Sequence, residues 1–239
     1  MLYLWLFCCF FKPAPPAEAL PSVERLVRLF EARYRPARTL ETTFLERYSE
    51  NGQVVRSEAG TAYFRRPGRM RWEYESPEKD LFLVDGKTAW FYVPDDHTVT
   101  RVPAKQSTDW RTPLALLAGE MKVSRVCARV ELATAEKPED KDHAMLHCEV
   151  RGSEPARSRQ DSGPAQGVGE GQAVFFEIAR DTGELARLLV RQSGGVQVEF
   201  RFENWRVDPP VPESLFRFDV PRGVAIVNGE LPASDPAVK

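Results

Sequence analysis

The side chains able to do chemistry in this chain are few and scattered. It holds three histidines, His97, His143 and His147, and four cysteines, Cys8, Cys9, Cys127 and Cys148. Metal centres gather Cys, His and carboxylate ligands at short, characteristic spacings, and these residues keep none. A serine nucleophile needs a Gly-x-Ser-x-Gly elbow between strand and helix, and the sequence contains no such pentapeptide. The carboxylates mostly alternate with arginines, the pattern of a solvated strand face. The expectation is a protein that is not an enzyme, with no metal and no cofactor. What remains is binding chemistry carried by apolar strand and helix faces.

The elements that must position these residues are mainly strands. Leu40, Thr42, Phe44 and Tyr48 alternate with Glu41, Thr43 and Arg47, and Asn51-Gly52 supplies a hairpin turn, since both residues tolerate positive φ. Met70, Trp72 and Tyr74 point one way while Arg69, Arg71, Glu73 and Glu75 point the other. After Asp85-Gly86 comes Trp90-Phe91-Tyr92-Val93, apolar on both parities, so both of its faces must be covered. Val123–Leu132 and Met145–Val150 read as a hairpin with a charged connection over Ala133–His143. Strand patterns resume over Val174–Ala179, Leu185–Gln192 and Val196–Val207, and Phe216-Arg217-Phe218 with Val220 reads as a last short strand.

Two short helices interrupt this. After the capping residue Ser22, Val23, Leu26, Val27, Phe30 and Tyr34 recur at helical spacing. Thr112-Pro113 begins a second helix through Leu114, Leu116 and Leu117, with Gly119 as its stop. Hairpins with one apolar and one charged face, plus amphipathic helices, predict a mainly β fold: an incomplete, unclosed antiparallel β-barrel with a helical lid over an apolar cavity. A transmembrane barrel also alternates, but these helices and the lack of aromatic girdles on every strand favour the soluble form.

Met1–Phe11 is almost wholly apolar, too short to span a bilayer, and followed by Ala17-Glu18-Ala19, which together predict a signal peptide over residues 1–19 and export. Residues 20–239 are expected to form one domain, with 153–171, poor in large apolar side chains, as a flexible insert. In an oxidising compartment Cys127 and Cys148, on consecutive strands, are expected to pair. The 33 basic residues nearly balance 35 acidic ones, a net charge of −2 that gives no reason to expect nucleic acid as a partner.

Two segments go beyond generic pattern: Phe64-Arg65-Arg66-Pro67-Gly68-Arg69-Met70-Arg71-Trp72-Glu73-Tyr74, and Leu83-Val84-Asp85-Gly86-Lys87-Thr88-Ala89-Trp90-Phe91-Tyr92-Val93-Pro94. Together they resemble the Arg-Pro-x-x-x-x-Trp strand and the Asp-Gly-Lys-x-x-Trp-x-Tyr hairpin of the LolA-type outer-membrane lipoprotein carriers. The early helix, Thr112-Pro113-Leu114-Ala115-Leu116-Leu117 and the closing Phe216–Val224 agree with the same family in order. The resemblance implies a periplasmic, monomeric carrier whose cavity holds the acyl chains of lipoproteins. It would receive them from an inner-membrane lipoprotein-releasing ABC transporter and deliver them to an outer-membrane acceptor lipoprotein. By the same resemblance Arg66 is the arginine whose hydrogen bonds to the lid hold the cavity shut, and Met70, Trp72, Trp90, Tyr92, Leu114, Leu116 and Leu117 are cavity candidates. Which parity of Trp90-Phe91-Tyr92 faces inward stays open at this level. A stress sensor of similar half-barrel fold is the alternative from another class, and an esterase a third that lacks a nucleophile with partners.

Overall fold

The structure, a computed structural model, describes residues 22–106, 114–151 and 173–229. The expected signal segment, the Thr112-Pro113 helix start and the 153–171 insert lie outside the described residues.

Helix α1 (Val23–Tyr34) starts where the Ser22 hydroxyl accepts the Arg25 N–H at 3.3 Å, satisfying one of the unpaired donors of a first turn. It ends before Pro36, which has no N–H to continue the ladder. Leu26, Phe30 and Tyr34, four residues apart, form its buried stripe.

Strands β1 (Thr39–Glu50) and β2 (Gln53–Arg65) form a long hairpin about Asn51 and Gly52, both at positive φ. The meander continues through β3 (Arg69–Ser76), β4 (Leu81–Val84), β5 (Thr88–Val93) and β6 (Thr98–Pro103). Two short helices, α2 (Ala115–Ala118) and α3 (Val123–Val126), precede a second meander. It comprises β7 (Cys127–Leu132), β8 (His143–Val150), β9 (Ala173–Ala179), β10 (Leu185–Arg191) and β11 (Val196–Val207). The meanders join where β11 pairs antiparallel with β1, and β12 (Ala225–Asn228) adds parallel to β6. The result is one sheet in the order β12-β6-β5-β4-β3-β2-β1-β11-β10-β9-β8-β7, antiparallel apart from its last pair and not closed on itself. This is the unclosed barrel that the alternation predicts.

Two local expectations are corrected. Val123–Val126 is a helical turn rather than the start of a strand, and β7 begins only at Cys127. Met121 at φ 50° redirects the chain there, and the Val123 N–H is bound by the Glu31 carboxylate at 2.9 Å instead of joining a ladder. Phe216–Val220 is not a strand either. Glu213–Phe216 forms a 3₁₀ turn, and the last strand comes later, at Ala225–Asn228. The cause is side-chain packing: Phe216 is buried, and Phe218 lies against Trp90 and Tyr92.

The inner face carries the main core. Trp72, which is fully buried, meets Phe44, Phe64, Phe200 and Phe202, and α1 adds Phe30 against Phe176 and Tyr34 against Trp205. Such aromatic pairs at 4.5–7 Å add roughly 0.5–1.5 kcal/mol each beyond area burial. The β9–β10 turn lets α1 seat closely: a Cβ on Gly183, at φ +70°, would lie 2.5 Å from the Leu29 carbonyl carbon. Only glycine fits there.

Candidate functional site

The inner face and its helical cover form a continuous apolar interior. Of the candidate residues, Met70 and Trp72 on β3 and Leu114, Leu116 and Leu117 at α2 lie in the same buried cluster as Leu26, Phe30 and Tyr34 of α1. Trp90 and Tyr92 do not. Ala89 is buried in the interior and Phe91 packs against it, so the intervening Trp90 and Tyr92 fall on the outer face. There Trp90 stands opposite Leu83, both rings pack on Phe218 at 5.4 and 5.5 Å, and the Trp90 indole donates to Asp85 at 3.1 Å. The two therefore lie outside the interior, and Phe91, not singled out by the sequence, packs against it instead. Asp85 holds its turn by accepting from the Lys87 and Thr88 N–H groups, both at 2.8 Å. Although burial opposes ionisation, these bonds and the Trp90 N–H keep the Asp85 carboxyl below the usual range.

Arg66 sits at the end of β2 and reaches the C-terminal turn of α1. Its Nη1 donates to the carbonyls of Arg35 at 2.5 Å and Ala37 at 2.6 Å, and its Nη2 to that of Tyr34 at 2.8 Å. The last carbonyls of a helix lack intrahelical partners and carry the negative end of its dipole, so a guanidinium satisfies both needs. Burial pulls the Arg66 pKa down, with Asp208 opposing that and Arg35 adding to it. The side chain opens beside a cleft of about 670 Å³ lined by Arg38, Arg65 and the 208–211 segment. The lid helix α2 is tied by a neighbour instead: the Gly68 N–H donates to the Ala118 carbonyl at 2.8 Å. The Arg66–Gly68 turn thus grips both helices.

Further ties hold α1. Arg33 pairs with Glu184, and the Tyr34 hydroxyl accepts the Leu185 N–H at 3.0 Å. A disulfide joins Cys127 to Cys148, with Cα atoms 5.3 Å apart, and both residues are buried in the interior cluster. One donor in that interior has no acceptor: the Trp72 indole N–H is buried and unpaired.

The outer face of β8–β11 holds an ion cluster where the alternation predicts a solvated face. Arg187 bonds Glu177 at 2.8 Å, Glu199 at 3.2 Å and the Lys137 carbonyl at 2.9 Å, and it pairs with Glu136 and Glu139 at 3.5 Å. Glu177 also accepts the Glu139 N–H at 2.9 Å and meets His143 Nδ1 at 3.1 Å. The 133–142 connection is thereby clamped across the sheet. Alternation of Glu and Arg gives no signal of such a cover.

Among the described residues no cluster of His, Cys, Asp and Glu is arranged to hold a metal ion. The arrangement is an apolar interior whose covering helices are held by a few polar bonds.

Comparison with known proteins agrees. The family model "Outer membrane lipoprotein carrier protein LolA" matches residues 36–145. An outer-membrane lipoprotein carrier protein of Nitrosomonas europaea is 27% identical over 232 residues, covering 95% of this chain and 97% of its own length. One of Methylococcus capsulatus is 28% identical over 227 residues, covering 95% of each. Among solved structures, an uncharacterized conserved protein of Thermus thermophilus superposes with a TM-score of 0.50 over 86% of this chain and 98% of its own, at 12% identity, which bears on fold alone. The Arg66-Pro67 to Tyr74 strand and the Asp85–Tyr92 hairpin both lie inside the matched segment, so the chain is similar to the LolA outer-membrane lipoprotein carrier proteins at its most distinctive residues.

Proposed function

We propose that this protein is a non-catalytic periplasmic carrier that shields the acyl chains of lipoproteins on their way from the inner to the outer membrane. The observation that carries the reading is the apolar interior between an unclosed sheet and helices attached by a handful of polar bonds. An acyl chain gains about 0.8 kcal/mol for each CH₂ removed from water, so such an interior needs no charged recognition to hold one. Cargo can enter only if α1 and α2 give way, since the interior is filled by the protein's own side chains. The unpaired Trp72 N–H suits the ester or amide carbonyl at the head of an acyl chain, because a buried donor without an acceptor costs about 1–3 kcal/mol. An inner-membrane lipoprotein-releasing transporter and an outer-membrane acceptor lipoprotein are the partners that this reading requires.

The test is titration of the purified protein with a fluorescent fatty acid and with a triacylated lipopeptide. Saturable binding of both, competed by one another, is the expected result. Failure of both to bind would overturn the reading.

A further inference from the structure

The sheet walls the interior with backbone ladders, and the ladder ends at the sheet's edges. Along the sheet each strand is joined to its neighbour by a row of main-chain hydrogen bonds, from β12 at one end to β7 at the other. At the β7 end the wall is completed by α1 lying over the edge strand, and side chains alone make that joint. Val23 and Val27 of α1 face Val123, Ala128 and Val130 across a groove of about 350 Å³. Val23, Val27 and Val130 are half-buried, and each packs against the interior cluster, so the groove floor is continuous with the core.

Across this seam, among the described residues, the one polar tie is Glu31 Oε1 accepting the Val123 N–H at 2.9 Å. The other polar anchors of α1 are at the same C-terminal end: Arg33 to Glu184, Tyr34 to Leu185, and Arg66 to the carbonyls of Tyr34, Arg35 and Ala37. The N-terminal half of the helix is held by Leu26 and Phe30 and by the valine stripe. Parting two strands breaks several hydrogen bonds worth roughly 0.5–1.5 kcal/mol net apiece, whereas lifting α1 from α3 and the β7 edge breaks, among the described residues, the Glu31–Val123 bond alone.

We propose that the groove between α1 and β7 is the port through which one acyl chain passes between solvent and the interior, opened when the N-terminal half of α1 lifts from the edge strand. The inference rests on the carrier reading and adds the route. Valines and Ala128 line the groove, Glu24, Arg28 and Arg129 stand at its exposed rim, and the one inner charge, Glu31, is occupied by the Val123 N–H and Arg35, which leaves an apolar path for a hydrocarbon chain with a polar head at the surface. Its volume is at the low end of the roughly 300–1,000 Å³ of small-molecule sites, room for a single chain. Ala128 is the gatepost. The register of β7 shifts between Cys127 and Arg129, so Ala128 is an unpaired bulge residue at the groove, small and exposed.

A port differs from a binding cavity in its kinetic signature: narrowing it slows loading and release together and leaves affinity alone. Stopped-flow exchange of a fluorescent fatty acid on the full chain reads this directly. Ala128→Trp, which fills the groove, is expected to slow association and dissociation by about tenfold each with Kd nearly unchanged. Glu31→Ala, which removes the tie to Val123, is expected to speed both. Circular dichroism and the thermal midpoint check that each variant is folded, and Ala128→Phe serves if the tryptophan is not accommodated. Wild-type binding with exchange rates indifferent to all these variants, or a change in Kd at constant association rate, would overturn the port while leaving the carrier intact. Absence of any binding by the wild type would overturn both.

Discussion

The guanidinium of Arg66 lies 2.8 Å from the Tyr34 carbonyl, at the last turn of the helix that covers the interior. That bond and its two companions to Arg35 and Ala37 form only when α1 is seated on the sheet. They bias the molecule toward the arrangement in which its own side chains fill the core.

Arg66→Leu removes hydrogen bonds from a charged donor, worth about 1.5–3 kcal/mol, and leaves the Tyr34 carbonyl with the Ala37 N–H alone. The seated helix is weakened and the cargo-filled state is not, so the variant should load as well as wild type and release more slowly. A shift of ~1.4 kcal/mol is tenfold in that balance. Transfer of a labelled lipoprotein to acceptor membranes, beside thermal unfolding, measures it. Lower stability with an unchanged transfer rate would make Arg66 a cap for the helix and no more.

Trp90→Ala should act through the outer face. It strips the ring from Phe218 and the donor from Asp85, and a loss of about 3–5 kcal/mol is expected from a buried aromatic, somewhat less here because the ring is only half-buried. Acyl affinity of the folded fraction should be unaffected. Leu116→Ala, inside the cluster, should instead alter affinity as well as stability, and fatty-acid titration of both variants separates the two faces.

The clamp of the 133–142 connection predicts a pH dependence. Burial pushes the Glu199 pKa up, but hydrogen bonds and charges from Arg201 and Arg187 outweigh it, so the net shift is downward. A carboxyl lowered in the folded state contributes stability that is present above its unfolded pKa, about 4.3, and is lost as pH falls through the lower folded value. Urea midpoints taken between neutral pH and pH 3 should fall in that acid window, with a shallower fall in Glu199→Gln. Arg187→Met takes from buried Glu177 its arginine and leaves Glu199 to Arg201, and should destabilise by up to about 3–5 kcal/mol at neutral pH.

The Cys127–Cys148 bridge spans 21 residues, and closing a loop of that size is worth roughly 3 kcal/mol in the chain-entropy model. The double serine variant should show a urea midpoint lowered accordingly and insensitive to dithiothreitol, whereas wild type should fall to the same value on reduction. Equal midpoints for oxidised and reduced wild type would remove the disulfide from the stability account.

Particular residues show why some features were legible in the sequence and others were not. On β3 the alternation of Met70, Trp72 and Tyr74 with arginine and glutamate names the inner face at once, because successive side chains of a strand point to opposite sides. The i, i+4 stripe of α1 does the same for a helix, and the Asn51-Gly52 turn declares itself through its φ preference. These are consequences of local covalent geometry, so a window of a few residues contains them.

On β5 both parities are apolar, and what separates Phe91 from Trp90 and Tyr92 is that Phe218, from the far end of the chain, covers one side while α1 and α2 cover the other. On β10 and β11 Arg187 and Glu199 alternate as solvated residues do, and only the 133–142 connection folding over them turns that face into a buried ion cluster. Arg66 stands out by its motif, yet its partners are carbonyls some thirty positions earlier, which any residue types at 34, 35 and 37 would supply. Spacing and residue type therefore determined by themselves most of the strands, the helix stripe and the family resemblance. Which face is covered, which helix Arg66 grips and where the wall is thinnest were decided by tertiary structure alone, because each depends on a backbone group or a covering segment that arrives from elsewhere in the chain and leaves no periodic mark.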